Sequence, residues 1–367
     1  MFSWEVAPLC DKVTQAIVLA GGEGTRLRPL TNTRPKPLLP VLGRPCIEYA
    51  IRSLASAGIE QIFIACGYRS ADILAALGDG KGLGVELIYA FEEEPAGTAG
   101  AVKLLEDGLE GTFVVASGDV LAEVDVGQLI RFHMNKGAIA TIALTEVDRP
   151  QEFGIVGLDD DQRIVRFKEK PEPNEVFSNL INAGIYVLQS HVLDYIPESE
   201  KHDFSRNVFP ALLSNGEPLF GSRLAGYWKD IGRPSDLLEA NLSMAAIKGG
   251  AVKAEGVAIS GRVFATAFSA KGATLEGPLY LGEAVVIGES TKLASSIIGK
   301  GTVIGKGVEV SGSLLMENCV LEDSCSVTGS LMGERCKVGR GVSLTNCVIG
   351  DGAVLEGPTV LEDESVG

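Results

Sequence analysis

From Leu281 to Leu361 an aliphatic residue, once a methionine, recurs at intervals of 6, 6 and 5 residues without interruption. Every third member falls 17 residues on: Leu281, Ile298, Leu315, Met332, Ile349. The two interleaved series are Ile287, Ile304, Leu321, Val338, Leu355 and Leu293, Val310, Val327, Leu344, Leu361. A six-residue aliphatic period, often followed by glycine, is the hexapeptide signature of a parallel β-helix. Each 17-residue coil then has three short faces, one inward aliphatic side chain per face, and three corners where glycine is tolerated. The pattern predicts five regular coils with a less regular lead-in from about Val257. It also disposes of four of the seven cysteines. Cys319, Cys325, Cys336 and Cys347 each lie two residues before an aliphatic marker, in slots that elsewhere hold Ser, Thr, Val or Ala. They read as small buried core residues. No C-x-x-C pair occurs, which argues against a zinc site or a redox dithiol.

Upstream of residue 250 the rhythm is different. Strand-like runs at Val13 to Ala20, Gln61 to Cys66, Val85 to Ala90 and Thr112 to Ala116 alternate with helical patterns at Ile47 to Ala57, Ser70 to Leu77 and Thr98 to Asp107. That alternation predicts a mostly parallel sheet covered by helices. Further strands are expected at Ile139 to Glu146, Gly154 to Leu158 and Ile181 to Leu188, and helices at Asp203 to Leu213 and Ser235 to Lys248. The chain therefore divides into residues 1–250 and 251–367, and its 367 residues suit two domains.

Composition narrows the function. Lys plus Arg number 32 against 48 Asp plus Glu, a formal charge of -16. A nucleic-acid binder working through bulk charge is disfavoured, because phosphate neutralisation needs a basic surface. An anionic small substrate would need a local basic cluster and backbone N–H groups. The first ten residues carry no basic segment followed by an apolar one, and no run approaches 18 apolar residues. The expectation is no signal peptide, no membrane span and a cytoplasmic protein with reduced thiols.

The local basic cluster is present in Leu19 to Val41, LAGGEGTRLRPLTNTRPKPLLPV. A strand ending at Leu19 and Ala20 runs into Gly21, Gly22 and Gly24, then Thr25 and Arg26, with Lys36 ten residues on. Clustered glycines after a strand let N–H groups approach an anion. Arg26 offers a planar fork and Lys36 a mobile point charge. The spacing is neither a P-loop nor a dinucleotide fingerprint, since Leu27 stands where the third glycine would be. Later segments place polar groups near strand ends: Glu94-Pro95-Ala96-Gly97-Thr98-Ala99-Gly100, Ser117-Gly118-Asp119, Phe153-Gly154, Phe167-Lys168-Glu169-Lys170-Pro171, Asn182-Ala183-Gly184 and Trp228-Lys229-Asp230. Taken singly, these are ordinary turns, caps and solvated runs. The three histidines, His133, His191 and His202, fall in none of them, and His133 reads as a helix-surface or structural residue.

In this order the segments resemble the sugar-1-phosphate nucleotidylyltransferases over nearly the whole chain. The resemblance implies an N-terminal Rossmann-like nucleotidyltransferase domain and a C-terminal left-handed β-helix. It implies that Leu19, Gly21, Gly22, Gly24, Thr25, Arg26, Lys36, Pro95, Gly97 and Thr98 bind the nucleotide. It further implies that Gly154, Glu169, Lys170 and Asn182 bind the sugar phosphate, that Asp119 and Asp230 hold Mg2+, and that Arg26, Lys36 and Asp119 carry catalysis. The substrates are then a nucleoside triphosphate and a sugar 1-phosphate. Among members, the chain is most similar to those joining GTP to mannose 1-phosphate; glucose 1-phosphate with UTP or dTTP is the alternative. A non-catalytic regulatory subunit is a second reading, disfavoured because Arg26, Lys36, Asp119 and Asp230 are all retained. An acyltransferase role for the β-helix is disfavoured by the absence of histidine after residue 250. Stacked coils with an unpaired terminal coil suit self-assembly, so a homo-oligomer is expected.

Overall fold

The computed structural model describes residues 12–92, 94–198 and 200–367; Cys10 and the rest of the first eleven residues lie outside it. The chain forms two compact units. One comprises the chain up to Gly22 together with Ile47–Trp228, the other Glu23–Cys46 together with Lys229–Gly367. The change of pattern near residue 250 coincides with the end of helix Pro234–Lys248 and precedes the first β-helix strand, Ala258–Ser260. The second unit nevertheless takes in two segments from before that point, because Asn241 binds the loop at Pro40 and Leu42.

The first unit is built on a nine-stranded sheet. From one edge its main path runs Ile164–Glu169, Gly154–Leu158, Leu180–Gln189, Thr112–Ser117, Gln15–Ala20, Gln61–Cys66 and Glu86–Phe91. The last four strands are mutually parallel. Gln61–Cys66 is buried at five of its six positions, the continuous apolar run expected of a strand covered on both faces. From Leu180–Gln189 outward the pairing turns antiparallel. Ala140–Glu146 pairs with Leu180–Gln189 and, in parallel, with Leu219–Arg223. Phe113, Phe204 and Phe209 are the largest fully buried side chains of this core, with Ile17, Ile142 and Leu188 around them.

Register decides where loops emerge. Leu19 lies opposite Ser117, so the loops after Ala20 and after Ser117 leave the same edge of the sheet. Ile185 lies opposite Ala116, which brings Asn182 to Gly184 to that edge as well. A Cβ placed on Gly184 would stand 3.3 Å from that of Ser117. Open α/β sheets bind ligands at this carboxyl edge.

In the second unit all fifteen markers stack as expected. Leu281, Ile298, Leu315, Met332 and Ile349 form one column of parallel pairs. Ile287 to Leu355 form a second and Leu293 to Leu361 a third. The lead-in is irregular: Leu275 pairs with Leu293 across 18 residues rather than 17. The four cysteines are buried free thiols. Their slot has a reason beyond size. Ser313 Oγ accepts from the Ser330 amide at 3.1 Å, and Ser330 Oγ from the Cys347 amide at 3.0 Å. A small hydroxyl or thiol here satisfies backbone groups inside the coil.

One outer face of the β-helix is covered. Ile297, Leu314 and Leu331 are 3%, 1% and 4% exposed, whereas Val286, Val303 and Val320 on another face are 44%, 41% and 36% exposed. Helix Pro234–Lys248 packs against the covered side. Its Leu237, Ala240, Asn241, Met244 and Ala245 recur at helical spacing and are buried. Asn241 accepts from the Leu42 amide at 2.8 Å and donates to Pro40 O at 3.1 Å and Leu237 O at 2.9 Å.

Candidate functional site

Glu23–Cys46 presents the basic groups of the second unit. Gly24 adopts φ +66°, and a Cβ there would lie 2.8 Å from Lys36 Cβ, so glycine is required for the turn to close on the lysine. Thr31 Oγ1 donates to Gly24 O at 2.9 Å, tying the two ends of the turn. Lys36 is 7% exposed, and its Nζ lies 3.5 Å from Asp230 Oδ1. Arg26 is exposed and joins them: a Cβ on Gly232 would lie 3.1 Å from Asp230 Oδ2 and 3.3 Å from Arg26 Nη2. Three of the expected residues, Arg26, Lys36 and Asp230, are thus one cluster.

Gly24 and Thr25 share the Glu23–Cys46 segment of the second unit, and the remaining expected residues belong to the first unit. Leu19 O accepts the Gly118 amide at 2.8 Å, which locks the loop carrying Asp119 onto the strand that leads to Gly21 and Gly22. Ser117 Oγ donates to Asp119 Oδ1 at 2.7 Å. Glu169 lies opposite Gly154 in register, and a Cβ on Gly154 would come within 2.8 Å of Glu169 Oε2. Gly154 therefore keeps open the space in front of the carboxylate. Lys170 adopts φ +45°, held there by the hydrogen bond its backbone N–H donates to Phe153 O at 2.9 Å. A non-glycine residue in this region stores strain, as residues at functional sites do. Asn182 Nδ2 donates to Tyr186 Oη and Ser205 Oγ, both at 3.0 Å, and its Oδ1 accepts from the Gly184 amide at 2.9 Å. Trp228 Nε1 donates to Ala183 O at 2.8 Å and its ring meets Phe153 edge-on at 6.0 Å.

The Pro95 to Gly100 loop is shaped by a segment that carries no family motif. Gly97 has φ +78°, and a Cβ there would lie 2.5 Å from His202 O. His202 O accepts from the Ala99 and Gly100 amides at 2.9 and 3.1 Å, and Asp203 Oδ1 from the Thr98 amide at 3.1 Å. His202, Asp203 and Ser205 are the residues that sequence reasoning missed. The one available signal, Asp203 ahead of a helix, points to an N-cap of its own helix. That cap bond is not made; Asp203 holds the start of a helix 105 residues earlier. The expected helix Thr98 to Asp107 is also shorter, ending at Lys103 before a separate 3-10 turn. His133 is structural: it is fully buried, its Nδ1 lies 3.0 Å from Thr141 Oγ1, and burial pulls its pKa down to about 4.

Burial pushes the Glu169 carboxyl above its usual value, while Lys170, Arg206 and a Ser205 hydrogen bond pull the other way. The ionised form accepts hydrogen bonds and the protonated form is impaired as an acceptor. With Glu169 in its expected role as an acceptor for the sugar phosphate, kcat/KM should therefore fall on the acid side at a higher pH than an ordinary carboxylate would give. A pH profile of kcat/KM checks this, and Glu169→Gln should remove that inflection.

The expected metal ligands Asp119 and Asp230 are both carboxylates, and they fall in different units of the chain. Among the described residues no group of three or more His, Cys, Asp or Glu could hold an ion by itself. Hard oxygen donors in small number fit Mg2+, which keeps waters and takes one or two carboxylates with phosphate oxygens.

Residues 15–246 match a family model described as nucleotidyl transferase, and residues 265–361 match one described as the EIF2B subunit epsilon LbH domain. A mannose-1-phosphate guanylyltransferase of Mycobacterium tuberculosis is 37% identical over 285 residues, 77% of this chain and 79% of that one. A UTP–glucose-1-phosphate uridylyltransferase of Synechocystis is 33% identical over 298 residues, 76% of each chain. A Bacillus anthracis crystal structure, assigned as a glucose-1-phosphate thymidylyltransferase in complex with sucrose, superposes with a TM-score of 0.58. It is 31% identical and covers 62% of this chain and 94% of that one. The fold defines a Rossmann-like α/β nucleotidyltransferase domain followed by a left-handed β-helix. The chain belongs to the nucleotidyl transferase family, among the sugar-1-phosphate nucleotidylyltransferases. Members of this family generally work with a divalent metal ion. Among the described residues, no helix is long and apolar enough to cross a membrane.

Proposed function

We propose that the chain transfers the guanylyl group of GTP to mannose 1-phosphate, giving GDP-mannose and pyrophosphate. The observation that carries the choice of substrates is the 37% identity to a mannose-1-phosphate guanylyltransferase across 79% of its length. A mannose-1-phosphate guanylyltransferase catalytic subunit beta of Drosophila melanogaster and a mannose-1-phosphate guanyltransferase of Candida albicans are each 40% identical over about 60% of this chain. Glucose 1-phosphate with UTP is the second reading, favoured by the Synechocystis relative at 33%. The regulatory-subunit reading loses ground because Arg26, Lys36, Asp119 and Asp230 are intact.

Two anions must be brought together, and the nucleophile is already charged. A phosphate oxygen of the sugar 1-phosphate attacks the α-phosphorus in line and pyrophosphate leaves, with no general base. Arg26 and Lys36 hold the triphosphate, and the glycine loop supplies N–H groups to it. Gly97 and Thr98, with Pro95, face the base. Lys170 holds the sugar phosphate, Glu169 and Asn182 bond sugar hydroxyls, and Gly154 admits the ring. Asp119 and Asp230 hold Mg2+, which when bound neutralises charge on the phosphate oxygens. The β-helix serves self-assembly with a second copy. Its exposed column Val286, Val303, Val320 and Val354, broken only by Lys337, is the surface assigned to it. Sedimentation at the mass of one chain would remove that assignment.

The direct test is pyrophosphate release with Mg2+ over a grid of GTP, UTP, dTTP, ATP and CTP against mannose, glucose, N-acetylglucosamine and galactose 1-phosphates. Turnover confined to GTP with mannose 1-phosphate is the expected result. Turnover confined to another pair overturns the specificity, and none from folded protein moves the weight to a regulatory subunit.

A further inference from the structure

One short segment touches both halves of the substrate-binding apparatus in the first unit. Residues Phe204–Val208 form a single π-helical turn, a geometry frequent at functional sites. It is anchored from below: Phe204 is fully buried, with its ring 5.3 Å from that of Tyr186 and 5.7 Å from that of Phe209. On one side, Asp203 Oδ1 accepts from the Thr98 amide at 3.1 Å and from Thr98 Oγ1 at 3.3 Å, and Thr98 Oγ1 accepts from the Phe204 amide at 3.0 Å. On the other side, Ser205 Oγ accepts from Asn182 Nδ2 at 3.0 Å, and the same Asn182 amide donates to Tyr186 Oη at 3.0 Å. Asp203 is in turn steadied by the bond from its amide to Asn207 Oδ1 at 2.9 Å.

We propose that this turn is a shared support for the two subsites: Asp203 positions the base loop and Ser205 positions the sugar pocket. The inference rests on the assignment of those loops to nucleotide and sugar phosphate given above. Two residues on one anchored turn fix both loops, so a common geometry is imposed on the two substrates. Neither residue is a catalytic residue; each acts through another, Asp203 through Thr98 and Ser205 through Asn182.

The test is a split of kinetic constants in the intact chain, using the nucleotide and sugar phosphate that the wild type turns over. Asp203→Ala should raise KM for the nucleoside triphosphate about tenfold, the value of one lost charge-assisted hydrogen bond, and leave KM for the sugar phosphate within about twofold. Ser205→Ala should do the reverse. Asp203→Asn retains an acceptor for Thr98 and should recover most of the loss. The double variant should depart from additivity, because the two bonds share one turn. A merely structural role would move both constants together in every variant, or move only the melting temperature, and either result overturns the proposal. Wild-type protein that turns over no pair at all fails the underlying reading instead, and so is distinguishable from failure of the support.

Discussion

Arg34→Met is expected to destabilise the second unit by about 3 kcal/mol, the low end for breaking a buried ion pair. The guanidinium is 15% exposed and bridges two carboxylates, Glu334 at 2.5 Å and Asp351 at 2.6 Å, themselves 22% and 4% exposed. Burial alone would lower the Arg34 pKa, yet the hydrogen bonds and charges of Glu334 and Asp351 raise it. Burial likewise pushes the Asp351 carboxyl up, but Thr33, Arg34 and the Glu334 amide together pull it below its usual value. Removing the cation leaves two acidic groups close together and poorly solvated. A depressed carboxylate contributes stability above its unfolded pKa and loses it as pH falls through the folded one. The wild type should therefore shed this increment on acidification below the ordinary carboxylate range, and the variant should have less to shed. Urea unfolding at neutral and acid pH measures both; an unchanged midpoint in the variant would show that the bridge contributes nothing. Adding Asp351→Asn to the variant should restore part of the loss, because it removes one of the stranded charges.

Asp119→Asn should lower turnover by about 10²–10³-fold while the chain stays folded. The amide oxygen can still accept the Ser117 hydroxyl now bonded at 2.7 Å, so the loop keeps its anchor. What is lost is a negative charge and a hard donor at the carboxyl edge of the sheet. Pyrophosphate release, with circular dichroism as the control for folding, reads the result. Unchanged turnover would sink the metal assignment of Asp119.

The parts of the structure that sequence reveals best are those set by local repetition. The β-helix columns follow from a period that any single coil displays, and the small slots at Cys319, Cys325, Cys336 and Cys347 follow from the same register. The parallel strands were legible because runs such as Gln61–Cys66 are apolar at every position after the first. What was not legible depends on distant partners. The strand Leu180–Gln189 is plain in sequence, but nothing local states that it pairs antiparallel with three other strands. Asn241 looks like a polar residue in a helix; its bonds reach residues about 200 positions away. For the site, charged and glycine positions stood out because their spacing is unusual. Asp203 and Ser205 did not, because an Asp or Ser at the start of a helix has a commoner explanation in capping and first-turn solvation.

The β-helix also works as a ruler. Its regular strands pair with strands 17 residues on, and neighbouring strands lie about 4.8 Å apart. Deleting 17 residues between Lys300 and Glu334 keeps every inward side chain inward and in its own column, which no shorter deletion does. Even the permitted deletion carries Glu334 and Asp351 one step, about 4.8 Å, back along the stack. Arg34 is held by both, so it would lose its bridge although the shortened stack folds. Coil number in this chain is thus tied to a salt bridge in a loop some 300 residues earlier.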